Sequence, residues 1–151
     1  YLLYYPCQFC MYIRRLSDAF GWKFIFICCA TYGANQGIGV EWGTFAMKYY
    51  FADTLKVSPA RAAALRGFVI LPWQIKALYG MMQDMIPIMG WHRTPYILIA
   101  GVVGMLSWGA LFLVPMTPIA AVFFLIIANY GIASPDVAVD AAVAERAKTH
   151  P

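Results

Sequence analysis

The sequence predicts an all-α membrane protein. Hydrophobic residues make up 62% of the 151-residue chain, charged residues make up 12%, and the mean hydropathy is +0.66. Soluble domains carry about 25% charged residues, so this chain has about half of the charge that a water-exposed globule needs. The apolar residues also form four runs of about 20 residues, the length with which an α-helix crosses the core of a bilayer. We therefore expect a bundle of transmembrane helices surrounded by lipid.

Four spans and their connectors account for the predicted bundle. Residues 1–22 form an N-terminal segment, and the spans cover about residues 24–50, 59–82, 96–115 and 119–143. The second span begins with Ser58 and Pro59, a helix N-cap followed by proline at the first helical position. The third span contains no charged residue, and Pro115 and Pro118 bracket a tight turn into the fourth.

The basic residues predict which connectors face the cytoplasm. One side of the membrane would hold Arg14, Arg15, Lys23, His92, Arg93, Arg146 and Lys148. The other side would hold Lys48, Lys56, Arg61 and Arg66. Cytoplasmic loops carry an excess of Lys and Arg, so the N-terminal segment and the connector from Gln83 to Pro95 are expected in the cytoplasm.

The same composition argues against several other classes. The net charge is +4, but the basic residues are scattered and form no patch that could follow a phosphate backbone. Cys7 and Cys10 have CxxC spacing without a second pair, and a zinc site needs four ligands. Cys28 and Cys29 lie in an apolar run and are explained as small buried hydrophobic residues. We therefore expect no nucleic-acid partner, no metal and no cofactor.

Charged and polar side chains inside the predicted spans are the candidate functional residues. A charge at the bilayer centre costs about 2.5–3.5 kcal/mol on insertion scales, so it pairs or lines a polar path. Asn129, Asp136 and Asp140 are separated by seven and four residues, which places them within about 40° of one another on one helix face. Such a stripe predicts a cavity. A buried carboxylate can also hold a proton near neutral pH, which suits a proton relay.

A structural role and an enzymatic role for these charges also stay open. In the structural case, ion pairs such as Glu41 with Lys76 hold helices together. In the enzymatic case, Asp136-x-x-x-Asp140 has the spacing with which intramembrane prenyltransferases hold magnesium and a diphosphate. Their motif normally has a further Asn or Asp three or four residues upstream, where this chain is apolar, and a second acidic motif elsewhere.

The connector between the second and third spans carries a charge motif. Gly80 and Asp84 end the second span, and Arg93 stands just before the third. This pattern resembles the cytoplasmic motif of the major facilitator superfamily. In that motif the glycine allows close helix approach, and the aspartate and the basic residue form a charge latch against the other half of the transporter. An ordinary positively charged loop is the alternative.

A longer series of motifs is similar to the folate-biopterin transporter family of that superfamily. The series covers about residues 30–148 and includes Gln36-Gly37, Ser58-Pro59-Ala60, Pro72-Trp73, Ile75-Lys76, Leu78-Tyr79-Gly80, Asp84, Pro87-Ile88, Gly90, Arg93, Pro95-Tyr96, Trp108, Asp136-Val137, Val139-Asp140 and Glu145-Arg146. The chain departs from the family where His92 and Thr94 flank Arg93 in place of an arginine run, and where Ala77 replaces a common proline.

The resemblance implies a major-facilitator-type helical bundle of twelve helices, of which this chain would be the first four. Because the chain opens on Tyr1 and ends on Pro151, we expect a fragment of a longer protein. The family moves folates or pterins, and the resemblance implies proton symport with alternating access and no enzymatic chemistry. A carrier for another small organic solute is the alternative. The plasma membrane is the expected location, and an organelle membrane is the alternative.

The resemblance also assigns roles to residues. The solute-binding residues would be Gln36, Glu41, Arg66, Lys76 and Asp136. The proton-coupling residues would be Asp136 and Asp140. The latch would consist of Gly80, Asp84 and Arg93. Lys76 and Arg66 would bind the carboxylates of a folate, while Trp73 and Trp108 would either stack on the ring or pack in the core.

Overall fold

The computed structural model describes residues 4–149, and it consists of helices joined by short connectors. In chain order these are α1 (Tyr4–Phe20), α2 (Trp22–Ala30), the π-helix π1 (Thr31–Val40), α3 (Glu41–Tyr49), the π-helix π2 (Tyr50–Thr54), α4 (Pro59–Val69), α5 (Leu71–Gln74), α6 (Lys76–Met85), α7 (Thr94–Leu113) and α8 (Pro118–Thr149). No β-strand occurs among these residues, so the predicted all-α class is confirmed there. The side chain of Cys7, half of the CxxC pair, lies outside the described part.

Helical backbone continues from Trp22 to Thr54 through two π segments. π1 carries the sequence "TYGANQGIGV", in which three glycines reduce side-chain crowding. A π-helix is rare beyond a single turn and is frequently found at functional sites. Its wider turn gives the side chains of π1 a different angular spacing from that of an α-helix. Sequence periodicity gave no expectation of this segment.

The predicted second span is helical but broken. Pro72 has no backbone N–H and its ring clashes with the carbonyl four residues earlier, which kinks or breaks a helix. Ile75 leaves helical geometry, with φ −100° and ψ 13°, and α6 then begins at Lys76. Interrupted helices are tolerated at membrane depth where they line a cavity or are buried in protein. The break therefore places Lys76 at the start of a new helix, beside polar groups of other helices.

Glycines set the closest helix contacts. A Cβ added at Gly131 would lie 2.8 Å from the Cα of Gly104, so α7 and α8 touch backbone to backbone. A Cβ added at Gly80 would lie 2.8 Å from Cγ1 of Val137, which brings α6 close to α8. Small residues allow such approaches where water provides no drive between helices. A side chain at Gly80 would therefore require Val137 or one of the two helices to shift.

Two of the described helices are long and apolar enough to cross a membrane. They are Thr94–Leu113, with a mean hydropathy of 2.0, and Pro118–Lys148, with 1.7. Both fit an all-α membrane protein. Helices also occupy the first two predicted spans, where the breaks shorten each continuous α-helical stretch. That all four segments cross the bilayer stays a prediction.

Candidate functional site

Lys76 forms an ion cluster with the two aspartates of α8. Its Nζ lies 3.2 Å from Oδ2 of Asp136 and 3.4 Å from Oδ2 of Asp140. Asp136 is fully buried, with 0% of its side chain exposed, whereas the side chains of Lys76 and Asp140 are 41% and 46% exposed. The two aspartates lie one helical turn apart, so one amine can reach both. We call these three residues the central cluster.

The π-helix π1 supplies the polar neighbours of this cluster. Tyr32 donates a hydrogen bond from its hydroxyl to Asp140, and Gln36 donates one from Nε2 to Asp136. Asn35 donates from Nδ2 to the carbonyl oxygen of Ile132 at 2.9 Å. Three polar side chains of one segment thus bind one stretch of α8. These hydrogen bonds hold π1 against α8. Each aspartate therefore accepts from π1 and from Lys76 of α6.

The charge of the central cluster is unbalanced. One ammonium and two carboxylates give a net charge of −1 when all three groups are ionised. A net charge inside a bilayer is costly, and one bound proton would make the cluster neutral. Of the two carboxylates, Asp140 is the one that is half-exposed. One of the two negative charges therefore has no cation of its own within the central cluster.

The partners of Lys76 bear on both the structural and the enzymatic interpretation of the charges. The prediction of an ion pair between Glu41 and Lys76 is wrong, because the amine of Lys76 binds the two aspartates of α8 instead. The prenyltransferase interpretation needs a divalent cation between Asp136 and Asp140. In the structure that position is taken by the amine of Lys76, whose positive charge would oppose a metal ion there.

A cavity of about 570 Å³ lies next to the central cluster. Its polar lining comes from five elements and consists of Gln36, Glu41, Thr44, Arg66, Trp73 and Asn129. Pockets for small molecules commonly have volumes of about 300–1,000 Å³ and few polar groups in an apolar wall. We call this space the polar cavity. It brings together Gln36, Glu41 and Arg66, three of the five predicted solute-binding residues, whereas Lys76 and Asp136 belong to the central cluster.

Two residues connect the polar cavity to the central cluster. Gln36 lines the cavity and also donates to Asp136. Trp73 lines the cavity, donates from Nε1 to Oδ1 of Asn129 at 3.3 Å, and has its ring 6.0 Å from Nζ of Lys76. An occupant of the cavity would therefore touch side chains that contact the ionised groups. Trp108, by contrast, packs against the apolar core cluster rather than lining the cavity.

A second charge cluster joins the connector to the end of α8. Nε of Arg93 lies 2.8 Å from Oδ1 of Asp84, and its two terminal nitrogens lie 3.1 and 2.8 Å from the two carboxylate oxygens of Glu145. These hydrogen bonds raise the pKa of Arg93 and lower the pKa of Glu145 below its ordinary value. We call Asp84, Arg93 and Glu145 the connector cluster.

Sequence reasoning missed Tyr32, Asn35 and Glu145 as site residues. Tyr32 and Gln36 are four residues apart in an apolar span, and this spacing was a usable signal for a shared face. Glu145 is the acidic residue that follows Asp140 after four uncharged positions. Its partner lies 52 residues away in the chain, so no local pattern could have identified the pair.

Comparisons with known proteins agree with these motifs. The BT1 family profile matches residues 36–151. The chain is 37% identical over 143 residues to "Probable folate-biopterin transporter 2" of Arabidopsis thaliana, covering 93% of this chain and 28% of the relative. It is 33% identical over 144 residues to "Probable folate-biopterin transporter 5" of the same plant, covering 93% of this chain and 29% of the relative. It is 29% identical over 133 residues to "Folate-biopterin transporter" of Synechocystis sp., covering 88% of this chain and 26% of the relative. The chain thus spans less than a third of the length of these relatives. No solved structure matches the chain.

Proposed function

The chain belongs to the BT1 family, and we propose that it forms part of a membrane carrier that moves folates or pterins. Its relatives are named folate-biopterin transporters. The observation that carries the proposal is the contact between the polar cavity and the central cluster within a bundle of apolar helices. A carrier needs a solute site and a charge that can be neutralised, and it needs no covalent chemistry. The protein is accordingly a transporter rather than an enzyme.

The proposed architecture is that of the major facilitator superfamily, with these helices as the first four of twelve. The charge motif of the connector and the close packing at Gly80 support it. The interrupted second span supports it too, because transporters build midplane sites from discontinuous helices. Alternating access would then expose the polar cavity to one side of the membrane at a time.

We further propose that solute movement is coupled to one proton. Asp136 is buried and bonded to both Gln36 and Lys76, so it acts as a fixed counter-ion. Asp140 is half-exposed and takes up the proton. Protonation of Asp140 weakens its hold on Lys76. Because Gln36 and Trp73 border both regions, this change reaches the solute in the polar cavity.

Labelled folic acid and biopterin test the carrier function directly. Cells expressing the complete transporter that contains this segment should accumulate one or both solutes across the plasma membrane. Accumulation should rise with an inward proton gradient, collapse with a protonophore and ignore magnesium chelation. Accumulation of a different organic solute alone would select the other-solute alternative. Magnesium-dependent diphosphate release from an isoprenoid substrate would select the prenyltransferase.

The proposed topology places the 83–95 connector and the N-terminal segment in the cytoplasm. Thr54 and Thr94 are both exposed, and each lies in a connector within a few residues of a predicted span. Single cysteines at these two positions, in a background without the four native cysteines, should differ in reactivity. An impermeant thiol reagent should label position 54 in intact cells and position 94 only after permeabilisation. Labelling of position 94 in intact cells would reverse the assignment.

A further inference from the structure

The polar cavity contains two opposite charges that do not pair with each other. Glu41 is the first residue of α3, and Arg66 lies about two turns into α4. Both line the cavity, yet neither takes part in an ion pair within the part of the chain that the structure describes. Ionised groups at membrane depth normally pair with one another or line a functional path. A carboxylate and a guanidinium that line one cavity without pairing are both available to bind groups of a solute.

We propose that Glu41 and Arg66 determine which solutes the carrier accepts, an inference that rests on the proposed folate or pterin transport. Folates and pterins share a 2-amino-4-oxo-pyrimidine edge that presents neighbouring N–H donors. The carboxylate of Glu41 accepts from these donors. Folates also end in a glutamate, whose carboxylate matches the planar fork of Arg66 through two parallel N–H···O bonds. Biopterin has a dihydroxypropyl side chain there and offers no carboxylate.

The other cation near the cavity is already engaged. Lys76 donates to both Asp136 and Asp140, so its charge is offset by the central cluster. Arg66 therefore carries the uncompensated positive charge of the polar cavity. This assigns recognition of the folate carboxylate to Arg66 and leaves Lys76 with the proton-coupling aspartates. Trp73 lines the same cavity and offers an apolar ring face to the flat pterin.

The consequence is that one cavity separates the two solute classes by charge. A hydrogen bond to a charged group contributes about 1.5–3 kcal/mol, so its loss changes affinity about 10- to 150-fold. Loss of Arg66 should affect folates only, because biopterins do not use it. Loss of Glu41 should affect both classes, because both carry the pyrimidine edge.

Arg66→Gln and Glu41→Gln in the complete transporter test this assignment. Cells receive labelled folic acid and biopterin together, and the ratio of the two uptake rates at low concentration is measured. The ratio is independent of the amount of folded protein. Arg66→Gln should lower the folate-to-biopterin ratio about tenfold or more, while Glu41→Gln should lower both rates and keep the ratio within about twofold. Arg61→Gln on α4 and Asp53→Asn on π2 are the matched exposed controls, and both should leave the ratio unchanged.

Each outcome decides between the proposals. If the wild-type protein moves neither solute, the proposed function fails. If the wild type moves both and Arg66→Gln leaves the ratio unchanged, the specificity assignment fails while the proposed function stands. Should Arg66→Gln abolish all uptake, Arg66→Lys keeps the charge and removes the bidentate fork. A lowered ratio in Arg66→Lys supports the assignment, and an unchanged ratio overturns it.

Discussion

Asp140→Asn is expected to reduce uphill, proton-driven uptake to background while exchange of internal for external solute continues. The amide keeps the size and the hydrogen bonding of the carboxylate but cannot bind and release a proton. It also removes one negative charge, so the central cluster becomes neutral in every state of the transport cycle. The variant therefore resembles a permanently protonated carrier. Such a carrier can move loaded in both directions but cannot draw energy from a proton gradient.

Two uptake assays on the same cells measure this effect. The first follows accumulation of labelled solute against its gradient at an external pH below the internal pH. The second follows exchange of labelled for unlabelled solute without a proton gradient. Asp53→Asn, an exposed carboxylate outside the cluster, is the control and should behave as wild type in both. Asp136→Asn should either repeat the Asp140 result or weaken solute binding, because Asp136 accepts from Gln36 of the polar cavity.

Two results would contradict the proposed role of the central cluster. Loss of exchange in both variants would assign the aspartates to solute binding. Unchanged uphill uptake in both variants would make the cluster an ion pair that only holds α6 against α8. In that case the coupled proton, if there is one, would bind elsewhere.

The features predicted from sequence are those that depend on neighbouring residues. The third and fourth spans could be read from uninterrupted apolar runs, since the bilayer fixes the length of such a run. The polar stripe of α8 could be read because Asn129, Asp136 and Asp140 share one face of a regular helix. All three make contacts toward the first two spans, to Trp73, Gln36 and Lys76. Gly80 could be read from its motif, and its contact with Val137 explains why a side chain does not fit there.

What sequence could not supply depends on contacts between distant segments. A π-helix differs from an α-helix in its hydrogen-bond register, and composition carries little information on that choice. Asn35 of π1 faces α8 and donates to the carbonyl oxygen of Ile132, a contact that the local sequence does not predict. The partner of Lys76 could likewise not be predicted, because Glu41 and Asp136 are both carboxylates within the predicted spans. Only the packing of α6 against α8 selects between them.

The connector cluster is expected to control the rate of transport rather than the affinity for solute. Arg93 is held by Asp84 on its own connector and by two hydrogen bonds to Glu145 at the end of α8. These three side chains are outside the polar cavity. They hold the C-terminal end of α6, the N-terminal end of α7 and the last turns of α8 together. Breaking them should shift the balance between conformations without removing any contact with solute.

Within the connector cluster, the size of the effect should follow the number of bonds lost. Arg93→Ala removes all three hydrogen bonds and leaves two carboxylates unpaired near each other, so it should lower the initial transport rate about tenfold or more. Asp84→Ala should have a smaller effect, because Arg93 keeps its paired bonds to Glu145. Both variants should be expressed and should bind solute at equilibrium with an affinity close to that of wild type. Arg15→Ala, an exposed arginine on α1, is the control.

The pH dependence separates the connector cluster from the central one. Arg93 lowers the pKa of Glu145, so the stabilisation from this pair is present above the unfolded pKa of Glu145 and is lost only as pH falls through the lowered folded value. Between about pH 5.5 and 8 the pair stays ionised, so it should contribute no proton dependence to uptake in that range. Arg93→Ala should therefore lower the rate while keeping the shape of the pH profile. A variant whose solute affinity falls in proportion to its transport rate, or whose pH profile shifts, would place Arg93 in the solute or proton site and defeat the latch interpretation.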